Sequence, residues 1–347
     1  MIDMTNNSRV VAIDSLRGLA VLLMVMVHAA ATWNPYQEVQ TTWFAYLVAG
    51  LGGLAAPLFV TIFGWGLIKS QSTSKNNIIK ASILVLLQIT VNISSPHLYE
   101  TFTPGILSLF AVLILIKPSI MKLSCSKQNF AFFWLGLTVL YLINEFFFQI
   151  QGVNNWDNRV TTDSIFTFIS NLFFTGTYPL FPWISYAVVG AFLGSSIKEG
   201  RKTLPRNNTT FLLIIIGVCY CLFSLILSNI EGSTWAHPTK GYYLNFFPAN
   251  LGFIIGSLTG VLIFWLVIQE LNITIFEAAG KISLTIYVLH FIPLTIMASY
   301  ENENYWTVME ASQAVAIFTA TWLIFAFVWK RIQWLTIENL IRKLSVY

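Results

Sequence analysis

The chain has 347 residues, of which 56% are hydrophobic and only 10% are charged, and its mean hydropathy is +0.69. Soluble domains carry about 25% charged residues, so this composition excludes a soluble globular protein and indicates a polytopic membrane protein. The formal net charge of +4 is modest, and we predict no nucleic-acid partner. No long polar block interrupts the chain, so we expect a single integral membrane domain over residues 1–347.

Apolar runs of roughly the length that crosses a hydrocarbon core of about 30 Å recur along the whole chain. They lie at about 15–33, 43–68, 78–95, 103–117, 129–149, 178–197, 210–229, 249–269, 281–299 and 311–330. A further stretch at 163–175 is amphipathic and predicts a re-entrant or interfacial helix. The pattern predicts an all-α polytopic bundle of about ten transmembrane helices. We expect a midplane cavity between the first, second, sixth and ninth of them.

Basic residues are distributed very unequally between alternating loops. Of the 19 Lys and Arg residues, all but Arg159 and Lys240 fall in one set of loops. Because short cytoplasmic loops are enriched in Lys and Arg, we predict that both termini are cytoplasmic. The opposite loops, the longest at about 150–177 and 230–248, are rich in aromatic and acidic residues. These rings suit either an ordinary interfacial belt or a platform on which sugar rings stack.

The first run carries polar residues at helical spacing. Asp14 and Arg17 are three residues apart, and His28 is eleven residues beyond Arg17, so all three share one helix face. His28 lies about 16 Å above Arg17, near the middle of the bilayer. An ionisable residue at that depth marks a functional site, unless it is a neutral histidine satisfied by a neighbouring helix. Asp14 would hold Arg17 in place or act as a first-turn acid that the helix dipole favours.

The sixth run, YPLFPWISYAVVGAFLGSSI, begins with two prolines, which the first turn of a helix tolerates. Gly190 and Gly194 have the spacing that allows close helix packing. The three cysteines, Cys125, Cys219 and Cys221, form neither a disulfide nor a metal-binding pattern, and we interpret them as small packing residues.

The ninth run, which includes GKISLTIYVLH at 280–290, carries a second polar stripe. Ser283, Tyr287 and His290 follow helical spacing and share one face. His290 lies about 13 Å above Lys281, which is near the depth of His28. Two intramembrane histidines at similar depth predict one shared polar site.

Five stretches, taken in order and spacing, resemble a known group of membrane enzymes. They are IDSLRGLAVLLMVMVH at 13–28, APLFVTIFGWGL at 56–67, TPGILSLFAV at 103–112, YPLFPWISYAVVGAFLG at 178–194 and GKISLTIYVLH at 280–290. They are similar to helices of the transmembrane acyltransferases, which include the acyltransferase-3 family and the heparan-alpha-glucosaminide N-acetyltransferase-like proteins. The resemblance covers nearly the whole chain. It implies transfer of an acyl group, usually acetyl, from cytoplasmic acyl-CoA to a sugar on the far side of the membrane.

By position, Arg17 and His28 match the arginine–histidine pair of these enzymes, and His290 matches their late histidine. The eukaryotic heparan enzymes tend to have asparagine where His28 stands and a histidine in the following outer loop. That loop has no histidine in this chain, AAATWNPYQEVQTTW, so heparan itself is not implied as the acceptor.

Acyl transfer needs a base for the acceptor and hydrogen-bond help for the oxyanion and the leaving thiolate. We expect His28 to be the base, His290 its partner or an oxyanion donor, and Arg17 a ligand of CoA phosphate or of the thioester. The predicted substrate-binding residues are Asp14, Ser283, Tyr287, Trp183 and Trp33.

The predicted co-substrate is acetyl-CoA or another acyl-CoA, with no metal, and the acceptor is a glycan or glycolipid hydroxyl or amine. The expected location is the bilayer of a prokaryotic plasma membrane, and a homo-oligomer is left open. An alternative class is a secondary transporter or proton-coupled exporter that uses intramembrane His and Arg as a proton path. A third is a non-catalytic assembly partner, in which both histidines would tolerate substitution.

Overall fold

A computed structural model describes residues 10–35, 43–153, 155–197, 203–239, 243–298 and 306–345. Its α-helices are α1 (Val11–Thr32), α2 (Trp43–Lys69), α3 (Ser74–Ser94), α4 (Ile106–Leu115), α5 (Lys117–Ser124), α6 (Lys127–Phe146), α7 (Asp157–Val160), α8 (Ile165–Ser170), α9 (Leu180–Ser196), α10 (Asn208–Ile230), α11 (Leu251–Glu270), α12 (Glu277–Lys281), α13 (Ser283–Leu289), α14 (Phe291–Ala298), α15 (Val308–Trp329) and α16 (Ile337–Leu344). Asn171–Thr175 forms a π-helical turn and Lys330–Leu335 a 3-10 segment. The two-residue strands β1 (Ala236–His237) and β2 (Leu244–Asn245) pair in parallel. Lys240 lies outside the described residues.

The predicted all-α membrane fold is confirmed. Within the described ranges, seven helices are long and apolar enough to cross a membrane, namely α1, α2, α3, α6, α10, α11 and α15. The pair α4 and α5, bent by 75°, can serve as an eighth span, and α9 and the pair α13–α14 are shorter apolar helices. Each predicted run therefore coincides with a helix or a broken helix. The predicted helix at 163–175 is α8 with the π-helical turn, while the cytoplasmic position of the termini stays a prediction.

Helix α1 packs backbone to backbone against α12. A Cβ atom added to Gly18 would lie 1.9 Å from the carbonyl oxygen of Phe276, and one added to Gly280 would lie 1.7 Å from that of Asp14. No side chain larger than hydrogen fits at either position without separating the helices. This contact fixes the start of α13, which follows α12 at once, beside α1.

Helices α2 and α9 form a second close contact. A Cβ on Gly190 would lie 1.8 Å from the Thr61 carbonyl oxygen, and one on Gly64 would lie 2.1 Å from that of Ala187. A Cβ on Gly194 would lie 3.2 Å from both Cδ1 of the Trp65 ring and the Trp65 carbonyl oxygen. The predicted packing role of Gly190 and Gly194 is confirmed.

Two side chains of α3 hold the start of the short helix α4. The Gln88 carbonyl oxygen accepts a bond from the Leu107 N–H at 3.0 Å, and its amide donates to Asn92 Oδ1 at 2.8 Å. Asn92 Nδ2 donates in turn to the carbonyls of Thr101, at 3.0 Å, and Thr103, at 2.8 Å. Gln88 and Asn92 are buried, where water cannot reach. Their side chains therefore supply the hydrogen bonds that the backbone groups before and at the start of α4 need.

A buried arginine holds the long loop between α6 and α9. Arg159 Nη1 donates to the Thr175 and Gly176 carbonyls at 2.8 and 3.0 Å, and Nη2 donates to those of Gln151 and Val153 at 3.1 and 3.0 Å. Burial lowers the pKa of Arg159 to about 10, which still leaves the guanidinium charged at neutral pH. One cation thus joins the two ends of this loop.

The cysteines are free thiols. Cys125 is exposed in the turn between α5 and α6, and Cys219 is exposed on α10, two residues before the half-buried Cys221. Exposure of the first two differs from the predicted packing role.

Candidate active site

His28 of α1 and His290, at the end of α13, meet inside the bundle. His28 Nδ1 lies 2.8 Å from His290 Nε2. The rings are parallel within 3° and their centroids are 5.1 Å apart. That separation equals the nitrogen–nitrogen distance plus the two ring radii, so the rings lie edge to edge in one plane. The geometry is that of a straight hydrogen bond between the two rings.

The backbone determines the direction of this hydrogen bond. His290 Nδ1 lies 3.1 Å from the Ile286 carbonyl oxygen, which can only accept. For neutral rings, His290 therefore carries its proton on Nδ1, and its Nε2 accepts from His28 Nδ1–H. His28 Nε2 is left with a lone pair. His290 is fully buried and His28 only partly, so the lone pair belongs to the more accessible ring.

Aromatic side chains surround the pair. The Phe291 ring lies 4.9 Å from the His28 ring and 4.1 Å from the His290 ring, and it is fully buried. The rings of Tyr287 and Trp322 lie 5.9 and 6.4 Å from that of His290. The predicted site residue Tyr287 is thus beside the pair, whereas Phe291 and Trp322 were not singled out from the sequence. The adjacency of Phe291 to His290 was the available signal.

The predicted ion pair at the other end of α1 is present. Arg17 Nη1 lies 3.3 Å from Asp14 Oδ1, with the Asp14 side chain buried and 35% of the Arg17 side chain exposed. Along the unbroken helix α1, Arg17 remains about 16 Å from His28. The candidate site therefore has two separate parts, a charged pair near the start of α1 and a histidine pair about one turn before its end.

Three other predicted site residues do not contact the histidine pair. Trp33 is buried against the rings of Trp306 and Phe318, at 6.3 and 5.4 Å. Ser283 begins α13, about two turns from His290. Trp183 is fully buried, and its ring contacts those of Tyr178, Tyr186 and Phe246 at 5.0, 5.2 and 5.4 Å. Their substrate-binding roles stay predictions.

A series of ring contacts leads from the histidine pair to the long loops that the sequence predicts to be extracytoplasmic. The Tyr99 ring lies 6.3 Å from that of Phe291 and 6.1 Å from that of Trp156. Trp156 lies 5.1 Å from Phe247, so the series reaches both of the longest outer loops. Burial raises the pKa of Tyr99, which keeps its hydroxyl neutral. We call Tyr99, Trp156 and Phe247 the aromatic path.

Hydrogen bonds join the loop of Tyr99 to the end of α7 and the segment that follows it. The Thr162 N–H donates to the Glu100 carboxylate at 2.6 Å, and the Thr103 hydroxyl donates to the Val160 carbonyl. Glu100 is exposed, so its carboxylate lies at the protein surface beside the path.

The His, Cys, Asp and Glu side chains of the described part of the chain form no group of three or more that could hold a metal ion.

Comparison with known proteins identifies the family. The family model for the heparan-alpha-glucosaminide N-acetyltransferase catalytic domain matches residues 9–227, from just before α1 into α10. No curated protein matches the chain. The match includes the Asp14–Arg17 pair and His28 and ends before His290. Since it spans more than half of the sequence, the chain belongs to the heparan-alpha-glucosaminide N-acetyltransferase family of membrane acetyltransferases.

Proposed function

We propose that this protein transfers an acetyl or other acyl group from acyl-CoA, bound from the cytoplasmic side, to a hydroxyl or amine of a glycan or glycolipid on the opposite side. The observation that carries this proposal is the coplanar bond between His28 and His290, with the lone pair of His28 Nε2 on the more accessible ring. Family membership supports acetyl transfer in general, and the histidine pair supplies the base that such a reaction needs.

In the proposed reaction, His28 Nε2 removes the proton of the acceptor hydroxyl or amine as that atom attacks the thioester carbonyl carbon. A C–O or C–N bond forms, the C–S bond breaks, and the sulfur leaves with the bonding electrons. The proton on His28 Nε2 then passes to the thiolate and gives free CoA. His28 gains and loses one proton and ends neutral, so atoms and charge balance.

His290 acts in this proposal as the partner that orients His28. Its Nδ1–H is bound to the Ile286 carbonyl, and its Nε2 accepts from His28, so neither nitrogen has a proton to offer an oxyanion. The same bond stabilises the positive charge that His28 carries between the two proton transfers, as the third member of a catalytic triad does. The geometry therefore favours the partner role of His290 over that of oxyanion donor.

Arg17 is the proposed contact for CoA. Its guanidinium is partly exposed and held by Asp14, which suits a bidentate contact to phosphate. Since Arg17 and His28 are about 16 Å apart along α1, the flexible arm of CoA would bridge the distance from phosphate to thioester.

The aromatic path is the proposed approach for the acceptor. Tyr99, Trp156 and Phe247 are each half-buried and lead from the outer loops towards Phe291, beside both histidines. Aromatic faces of this kind stack on the apolar faces of sugars, and the Glu100 carboxylate could accept from sugar hydroxyls.

The test is acyl transfer by purified protein with labelled acetyl-CoA and a panel of membrane glycans. His28→Ala should lower kcat by about two to four orders of magnitude, because a positioned base contributes that much. His97→Ala is the matched control, since His97 is an exposed histidine of the outer loop before α4, and it should stay close to wild type.

Full activity of His28→Ala would remove His28 as the base. Absence of transfer with acetyl-CoA and longer acyl-CoAs, together with counter-flow uptake in proteoliposomes without acyl-CoA, would support the transporter instead.

A further inference from the structure

The C-terminal helix returns to the helix that carries His290. After α15, the 3-10 segment Lys330–Leu335 leads into α16, which packs against the beginning of α13 and against α3. None of the residues Ile337–Leu344 is fully buried, although Ile337 packs against the core. The connection to α13 is made by polar bonds.

Glu338 caps α13 from 54 residues away in sequence. Its Oε1 accepts from the Leu284 N–H at 2.7 Å and from the Thr285 N–H at 3.3 Å. The first N–H groups of a helix have no acceptor within the helix itself. Ile282, which stands at the N-cap position of α13, has no side-chain acceptor to offer. Glu338 therefore does the work of an N-cap residue.

Thr285 joins the two helices in both directions. Its hydroxyl donates to Glu338 Oε2 at 2.6 Å and accepts from the Ile337 N–H at 2.9 Å. Thr285 is 1% exposed, so these bonds are shielded from water. The first turns of α13 and α16 are thus fixed to each other.

The capped turn leads directly to the histidine pair. Ile286, next to Thr285, supplies the carbonyl that binds His290 Nδ1. Helix α13 has only seven residues, and a helix this short is not stable without tertiary contacts. A displacement of its first turn would therefore reach the Ile286 carbonyl.

We propose that Glu338 is a positioning residue for the reaction: by capping α13 it keeps the Ile286 carbonyl in line with His290 and so maintains the bond from His28 to His290. This rests on the proposed function for its effect on catalysis. It also places a functional residue in the C-terminal part of the chain, beyond the matched residues 9–227.

The first readout is the protonation pattern of the histidines, measured without substrate. The chain has four histidines, so solid-state ¹⁵N spectra of histidine-labelled protein in lipid bilayers can be assigned with single variants. In wild type, the His290 signals should be those of a ring protonated at Nδ1 and bare at Nε2. Glu338→Ala should add signals of the other tautomer, because the Ile286 carbonyl is no longer held.

The second readout is kinetic. Glu338→Ala should lower kcat roughly 10- to 100-fold with little change in KM for acyl-CoA, as expected when a catalytic group is slightly misplaced. Glu338→Gln should recover most of the activity, because its amide oxygen can accept from the Leu284 N–H and its amide nitrogen can donate to Thr285. Thr285→Val, of nearly the same shape, should behave like Glu338→Ala and provides a second variant if that protein does not fold.

Glu277→Gln is the matched control. Glu277 also lies near the start of α13, but it pairs with Lys281 at 2.5 Å within α12. The Glu277→Gln protein should have the kcat and the histidine ¹⁵N spectra of wild type.

Wild-type kcat and unchanged His290 signals in Glu338→Ala and Thr285→Val would overturn the proposal. The contact of α16 with α13 would then have no effect on the histidine pair. The two proposals fail separately. If Glu338→Ala alters the tautomer signals while His28→Ala keeps full activity, Glu338 still positions His290 but His28 is not the catalytic base. If His28→Ala is inactive while Glu338→Ala leaves the signals unchanged, His28 remains the proposed base but Glu338 does not position His290.

Discussion

The helices around the histidine pair differ from those at the edge of the bundle. Helices α6, α10 and α15 are continuous over 20 to 23 residues, and only 11 to 17% of their apolar windows is buried. Some inner elements are short or broken: α13 stops at His290, and α4 turns by 75° into α5. The other inner helices, α1, α2 and α11, are continuous, with 61, 50 and 44% of their apolar windows buried.

This difference follows from how backbone groups find hydrogen bonds in a membrane. A helix that faces lipid must satisfy its N–H and C=O groups within itself, so it cannot be interrupted. Inside the bundle, neighbouring side chains can supply the missing bonds, as Gln88 does for α4 and Glu338 does for α13. Two of these breaks, at the start of α4 and at the start of α13, therefore lie where buried or half-buried side chains supply the missing acceptors.

The largest effect is expected from filling the contact between α1 and α12. Gly280→Ala would place a Cβ atom 1.7 Å from the Asp14 carbonyl oxygen, so the helices must separate and His28 must move relative to His290. We expect a loss of at least about 1–3 kcal/mol in stability, the usual cost of overpacking, together with loss of transfer activity. Thermal unfolding in detergent and the transfer assay measure the two effects.

Gly136→Ala on α6 is the matched control, because nothing lies within 4 Å of the added atom. Gly136→Ala should change neither the thermal stability nor the transfer activity appreciably. Equal losses in the two variants would show that the edge of the bundle is as tightly constrained as its interior.

An intermediate effect is expected from removing the cap of α4. Gln88→Met leaves the Leu107 N–H without its acceptor inside the protein, at a cost of about 1–3 kcal/mol. Thr321→Val on α15 is the comparison, since its hydroxyl is exposed and binds only the Ile317 carbonyl of its own helix. That variant should stay within about 0.5 kcal/mol of wild type. A melting temperature for Gln88→Met as high as that of Thr321→Val would contradict the capping role.

The smallest effect is expected for a surface ion pair beside the edge helices. Arg206 Nη1 lies 3.1 Å from Glu270 Oε2, and both side chains are substantially exposed. Arg206→Gln should cost less than about 1 kcal/mol, because water and salt screen exposed pairs. The melting temperature of Arg206→Gln should be slightly below that of wild type at low salt and equal to it at high salt. A larger, salt-independent loss would mean that this surface is part of the constrained interior.

The contrast between the edge helices and the interior elements also determines how much of the fold the sequence could predict. The predicted runs 129–149, 210–229 and 311–330 differ from α6, α10 and α15 by at most three residues at either end. These helices are uniform apolar segments in lipid, so their ends follow the change in polarity. The predicted run 281–299 is instead divided into α12, α13 and α14. The start of α13 is capped by Glu338, and local sequence cannot reveal this contact from 54 residues away.

For the candidate site, helical spacing predicted the Asp14–Arg17 pair and the common depth of His28 and His290. Spacing gives depth and face within one helix, and those are local properties. The contact between the two rings joins residues 262 positions apart, and the surroundings of Trp33 depend on α15. Both require the tertiary arrangement, which no single segment encodes, whereas the bond from His290 to the Ile286 carbonyl four residues earlier is local.

The exposed turn between α5 and α6 provides a chemical handle for membrane sidedness. The thiol of Cys125 lies there between Lys122 and Lys127, whereas Cys219 and Cys221 lie near the middle of α10, a helix long and apolar enough to cross a membrane. A charged maleimide that cannot cross lipid would modify Cys125 only from the compartment into which this turn opens. The unaltered chain can therefore report its own orientation in sealed right-side-out and inverted vesicles, with no engineered cysteine.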